Sequence, residues 1–127
     1  MVRRVPVWFL EGMAEYLAYR FMGETGEMSA IEVDDHESWA RSEAKRLLST
    51  FPLSAVEAQY PPAAQGSDMN GPSVTAVKML ADAYGRPALR DFCKRGARED
   101  WRTVFTQIFG RPVERFYEEY AAALSRP

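Results

Sequence analysis

Glycine and proline divide this chain into stretches of helical period, and no stretch alternates apolar and polar residues long enough to make a strand. Two of the joints share one chemistry. Gly85-Arg86-Pro87 and Gly110-Arg111-Pro112 each end a helical pattern with a residue tolerant of positive φ and restart it with a preset one. The residues around them do not otherwise match, so the two copies are a shared turn and not a structural repeat. The expected fold is all-α, a compact bundle of about five or six helices with short Gly/Pro joints. At 127 residues the chain is one helical domain, residues 1–127, able to bury roughly two thirds of its unfolded surface.

The first helix is opened by Pro6 and stopped by Gly23, with Gly26 in the following loop. Met28 to Val33 reads as a short extended piece. Asp34 and Asp35 cap a second helix, roughly His36 to Thr50, with Trp39, Ala40, Ala44, Leu47, Leu48 and Phe51 inward and Pro52 ending it. Ser54 to Tyr60 has room for one or two helical turns. Pro61-Pro62 and the run from Gln65 to Gly71 read as loop. Pro72 and Ser73 open a third helix closed by Gly85, and Pro87 opens a short fourth ending near Gly96. Asp100 precedes a fifth that Gly110 stops, and Pro112 opens the last, with Val113, Phe116, Tyr117, Tyr120 and Leu124 as its stripe.

The stretch from Pro6 to Tyr19 is the most unusual. At about 100° per residue, Leu10, Met13, Ala14, Leu17 and Phe21 form one apolar stripe, expected to face the core. The opposite side carries Trp8, Glu11, Gly12, Glu15, Tyr19 and Met22. Two carboxylates among large aromatic and apolar groups do not make an ordinary solvated face, so Trp8, Glu15, Tyr19 and Met22 are a candidate interaction face.

Composition excludes several classes. A formal charge of −2 argues against a dedicated nucleic-acid binder. One cysteine, Cys93, excludes an internal disulfide and a cysteine-based zinc cluster. No apolar run approaches the ~20 residues of a membrane span. Met1 to Pro6 holds two positive charges but is not followed by a signal-peptide core. As written the chain is expected to be cytoplasmic; a start further upstream would open a secreted or envelope-associated location.

Trp8-Phe9-Leu10-Glu11-Gly12-Met13-Ala14-Glu15-Tyr16 resembles the W-x-x-E-G-x-A-x-Y stretch of gluzincin zinc metallopeptidases, particularly the peptidase-MA-like group. The helices ending at Tyr84-Gly85 and Phe109-Gly110, and the closing helix with Phe116 and Tyr120, fit the helical half that follows the metal-binding helix in that family. The resemblance runs from Pro6 to about Leu124. It implies that Glu11 is the third zinc ligand, while Glu15 lies behind it or at the surface. The first two ligands and the general base belong to an HExxH motif on an earlier helix. No HExxH occurs among the 127 residues.

A catalytic zinc needs three protein ligands and an open position. Glu11, Glu15 and His36 would reach that count, but no spacing brings His36, expected at a solvated helix start, to the glutamates. Cys93 reads as a small core residue. Arg86, Arg90, Lys94, Arg95 and Arg98, interrupted by Asp91, Glu99 and Asp100, read as a solvated face. The aromatics from Trp101 to Tyr120 read as core. The expectation is a truncated or degenerate peptidase-MA-like domain with no cofactor of its own. It would lack peptidase activity alone and act as a helical interaction module, its first helix covered by a second copy or a partner protein. Two alternatives stand beside it. One is part of an active zinc peptidase whose HExxH half is supplied upstream or by a partner. The other is a helical protein binding a small ligand beside Glu11.

Overall fold

A computed structural model describes residues 4–59 and 70–126. Among these it contains six α-helices and one 3₁₀ turn, and no strand. In chain order they are α1 (Val7–Thr25), α2 (Ala30–Leu47), the 3₁₀ turn (Leu53–Val56), α3 (Asn70–Tyr84), α4 (Arg86–Gly96), α5 (Trp101–Phe109) and α6 (Val113–Leu124). The fold is an all-α bundle.

Helix α3 lies at its centre. Every residue from Gly71 to Val77 is buried, as are Leu80 and Ala81. A helix apolar nearly all round needs neighbours on every side. Helices α1 and α2 supply them, each packing mainly on α3 and little on the other.

Two glycines permit this close approach. A Cβ at Gly12 of α1 would overlap the Ser73 carbonyl oxygen of α3 and lie 2.8 Å from Val77 Cγ2. A Cβ at Gly71 of α3 would lie 2.6 Å from Glu43 Cβ and 3.0 Å from the Ala40 carbonyl oxygen of α2. The atoms met, the Ser73 carbonyl at one crossing and Glu43 Cβ with the Ala40 carbonyl at the other, are fixed by the backbone, so no rotamer change admits the extra carbon.

The second half closes over the other side of the core. Phe92 of α4 meets Phe9, Phe105 and Phe109 edge-on, at ring separations of 4.7, 5.5 and 5.6 Å. Phe116 of α6 stacks on Trp8 at 5.8 Å. Edge-to-face aromatic pairs are the favoured geometry and add to the burial.

Several boundaries differ from the sequence expectation. Gly23 does not stop α1; the helix runs to Thr25, and Gly26 makes the left-handed cap at φ 83°, its N–H bonded to the Gly23 carbonyl. Met28 to Val33 is not extended. Ser29 and Glu32 form a reciprocal capping box, so α2 starts six residues before the expected His36 and ends at Leu47, ahead of Thr50. Trp39, expected inside, is 40% exposed. The loop assigned as far as Gly71 gives way to helix at Asn70. The expected turns up to Tyr60 reduce to the 3₁₀ turn among described residues; Tyr60 itself, Pro61-Pro62 and 65–69 lie outside them. The Gly85 and Gly110 joints, the start of α5 directly after Asp100 and the α6 stripe are found as expected, and Asp100 caps α5 by accepting the Thr103 N–H. No helix among the described residues is long and apolar enough to cross a membrane.

Candidate functional site

The motif residues of α1 separate into three directions. Trp8, Phe9, Gly12 and Tyr16 point into the molecule. Trp8 is fully buried by this chain's own α6: its indole N–H donates to Tyr117 Oη at 3.0 Å. Tyr117 Oη in turn donates to Glu57 Oε2 at 2.6 Å, and Arg102 donates to the same carboxylate oxygen at 2.8 Å. Burial, and then the Glu57 carboxylate, push the Tyr117 hydroxyl far above its usual pKa. The Glu57 carbonyl also accepts the Val7 N–H at 2.8 Å, fixing the start of α1. The assignment of Trp8 to an interaction face is therefore corrected: it is core, and the chain itself covers it.

The second direction faces α2. Glu15 Oε1 accepts from Asn70 at 3.4 Å, and Glu15 Oε2 lies 3.3 Å from His36 Nε2. The His36 ring lies parallel to Tyr19, 3.5 Å between centroids and 5° between planes, with Trp39 beyond it at 5.7 Å. The His36 side chain is 11% exposed, so it is not the solvated helix start expected of it. The reason is the earlier beginning of α2, which turns position 36 toward α1. Met22 is half-buried at the end of the same side. Beside this seam, Arg20 holds Glu37 at 2.8 Å. A cleft of about 510 Å³ opens there, lined by Arg20, Glu37, Arg41, Thr75 and Lys78 among others. Glu37 Oε2 and Thr75 Oγ1 are buried on it without a hydrogen-bond partner among the described residues.

The third direction is outward, and it reverses the expected polarity of α1. Leu10, Ala14 and Phe21 are exposed, Phe21 by 61%, and Met13 and Leu17 are half-buried. The stripe expected in the core is a surface. Glu11 stands exposed at one edge of it, with no hydrogen bond or ion pair among the described residues. On the opposite edge, α1 and α4 frame a groove of about 550 Å³ floored by Met13, Leu17, Pro87, Leu89 and Cys93 and rimmed by Arg86, Arg90 and Lys94.

Of the three groups proposed to reach a zinc count, the fold joins Glu15 to His36 and leaves Glu11 out in solvent. Among the described residues no three His, Cys, Asp or Glu side chains group so as to hold a metal ion. The residues present do not fit a zinc site. What sequence reasoning missed had two signals. The Ser29-x-x-Glu32 pattern, read as a capping box, places His36 mid-helix. The row Trp8, Gly12, Tyr16, large groups flanking a notch at i, i+4 and i+8, marks the side of α1 that crosses another helix. No family model, curated protein or solved structure matches the chain.

Proposed function

We propose that this chain is a peptidase-MA-like, gluzincin-related helical domain that is not catalytic by itself and serves as an interaction module through the outer face of α1. One observation carries the reading. The motif's large groups Trp8, Phe9 and Tyr16 are used inside the molecule, while Leu10, Ala14 and Phe21 lie on the outside beside Glu11, which has no partner among the described residues. In the family the motif resembles, the helix bearing HExxH packs beside the third-ligand glutamate. An uncovered apolar face next to Glu11 is the surface such a helix would need.

No catalytic step is assigned to this chain, because a carboxylate alone neither holds zinc nor activates water bound to it. Titration calorimetry of the purified protein with zinc chloride tests the reading. No saturable one-to-one binding is expected, and Glu11→Gln leaves the trace unchanged. Saturable binding that Glu11→Gln removes would overturn it in favour of a zinc enzyme.

A further inference from the structure

The apolar stripe on α1 runs three turns from Leu10 to Phe21, about 16 Å at the helical rise. It is continuous with the α1/α4 groove through Met13 and Leu17. Many cations on this molecule are engaged: Arg46 holds Glu43, Arg95 holds Glu99, Arg102 holds Glu57 and Glu114, and Arg111 holds Glu119. Arg86, on the groove rim, is held by Glu24 at 2.6 Å. Arg90 and Lys94 differ. They stand one turn apart on the same rim and have no hydrogen bond or ion pair among the described residues.

An apolar floor bounded on one side by two free cations a turn apart calls for a particular occupant. We propose that this surface docks an amphipathic helix of a partner protein, apolar on its inner stripe and carrying carboxylates at i and i+4 along the flank that meets Arg90 and Lys94. This rests on the reading of the chain as an interaction module and names its partner by chemistry. Helix-in-groove recognition needs apolar anchors at three- and four-residue spacing, which matches the exposed stripe. Rim charges then select the partner and its orientation.

Two other occupants fit less well. A second copy, paired about a twofold axis with α1 antiparallel to itself, would set the Arg90/Lys94 flank against its own equivalent. Arg90 and Lys94 of both copies would then share one edge. An anionic membrane would meet Glu11 and Glu24 beside the same apolar stripe, and the chain carries a net charge of −2.

Fluorescence anisotropy of the full chain with two labelled synthetic helical peptides tests the proposal. Both carry the same leucine stripe; one has glutamates along a flank and the other lysines. The glutamate peptide is expected to bind about tenfold more tightly at low salt, the advantage shrinking as salt is added. Arg90→Glu with Lys94→Glu should reverse the ranking, and Phe21→Glu should weaken both peptides. These positions are exposed, and unchanged circular-dichroism melts of the variants establish that they fold. Equal affinities, or no binding of either peptide, overturn the proposal. So does a dimer in light scattering, or binding to phosphatidylglycerol vesicles, that Phe21→Glu abolishes while neither peptide binds. A neutral-flanked HExxH peptide that binds with zinc while the glutamate peptide does not would keep the module reading and sink the acidic partner. Glutamate-peptide binding that zinc leaves unchanged would support the acidic partner while leaving the metallopeptidase relationship without support.

Discussion

Gly12 is the residue on which the resemblance and the fold meet, and its role is steric. The Glu-Gly pair of the motif places a carboxylate outside and a notch inside on consecutive positions. Gly12→Ala is expected to destabilise the protein by about 3 kcal/mol, read from urea denaturation, because the added carbon meets the α3 backbone. Thr75 is the opposite case. Its hydroxyl is buried on α3 without a partner among the described residues, so Thr75→Val, nearly isosteric, is expected to stabilise by about 1 kcal/mol. A thermal melt that moves down would mean the hydroxyl is bonded to something in solution. The row Trp8, Gly12, Tyr16 marks the crossing side of α1, but which helix crosses there was not legible in the sequence. A glycine inside a helical pattern is silent about what crosses it until the partner helix is known.

At the scale of elements, α2 illustrates how one cap shifts everything after it. Ser29 accepts from the Glu32 N–H at 3.1 Å, and the Glu32 side chain accepts from the Ser29 N–H at 3.1 Å. Ser29→Ala should cost about 1 kcal/mol of stability and lower the helical circular dichroism at elevated temperature. Asp34 and Asp35 are equally good capping types, and choosing them displaced His36 from the α1 seam to a helix start. The later helices were legible because their stops are unambiguous: Gly85 and Gly110 have positive φ and Asp100 caps α5. The face of α1 was not legible from periodicity, since both its sides are rich in apolar groups; only the Trp8-Gly12-Tyr16 row tells them apart. Tyr117 ties these elements together. Tyr117→Phe leaves the buried Trp8 indole N–H without its acceptor and removes a donor from Glu57, an expected loss of about 2 kcal/mol in urea.

For the whole molecule, the outer face of α1 and the buried tyrosines give separate tests. Leu10→Glu with Phe21→Glu is expected to change the unfolding free energy of the isolated chain by no more than about 0.5 kcal/mol per site, whereas Trp8→Ala should cost about 4 kcal/mol. Burial raises the pKa of Tyr120, and burial with Glu57 raises that of Tyr117. Folded values above the unfolded value of about 10 mean that unfolding releases protons at alkaline pH. Their contribution is complete below that pH and is lost as pH rises above it, so urea midpoints should fall through this range. Phenolate absorbance of these two should appear only with unfolding. The central position of α3 has a further consequence, in the order of biosynthesis. Helices α1 and α2 leave the ribosome before α3, yet they meet chiefly through it. The packing of these two helices therefore waits for the emergence of Gly71 to Ala81.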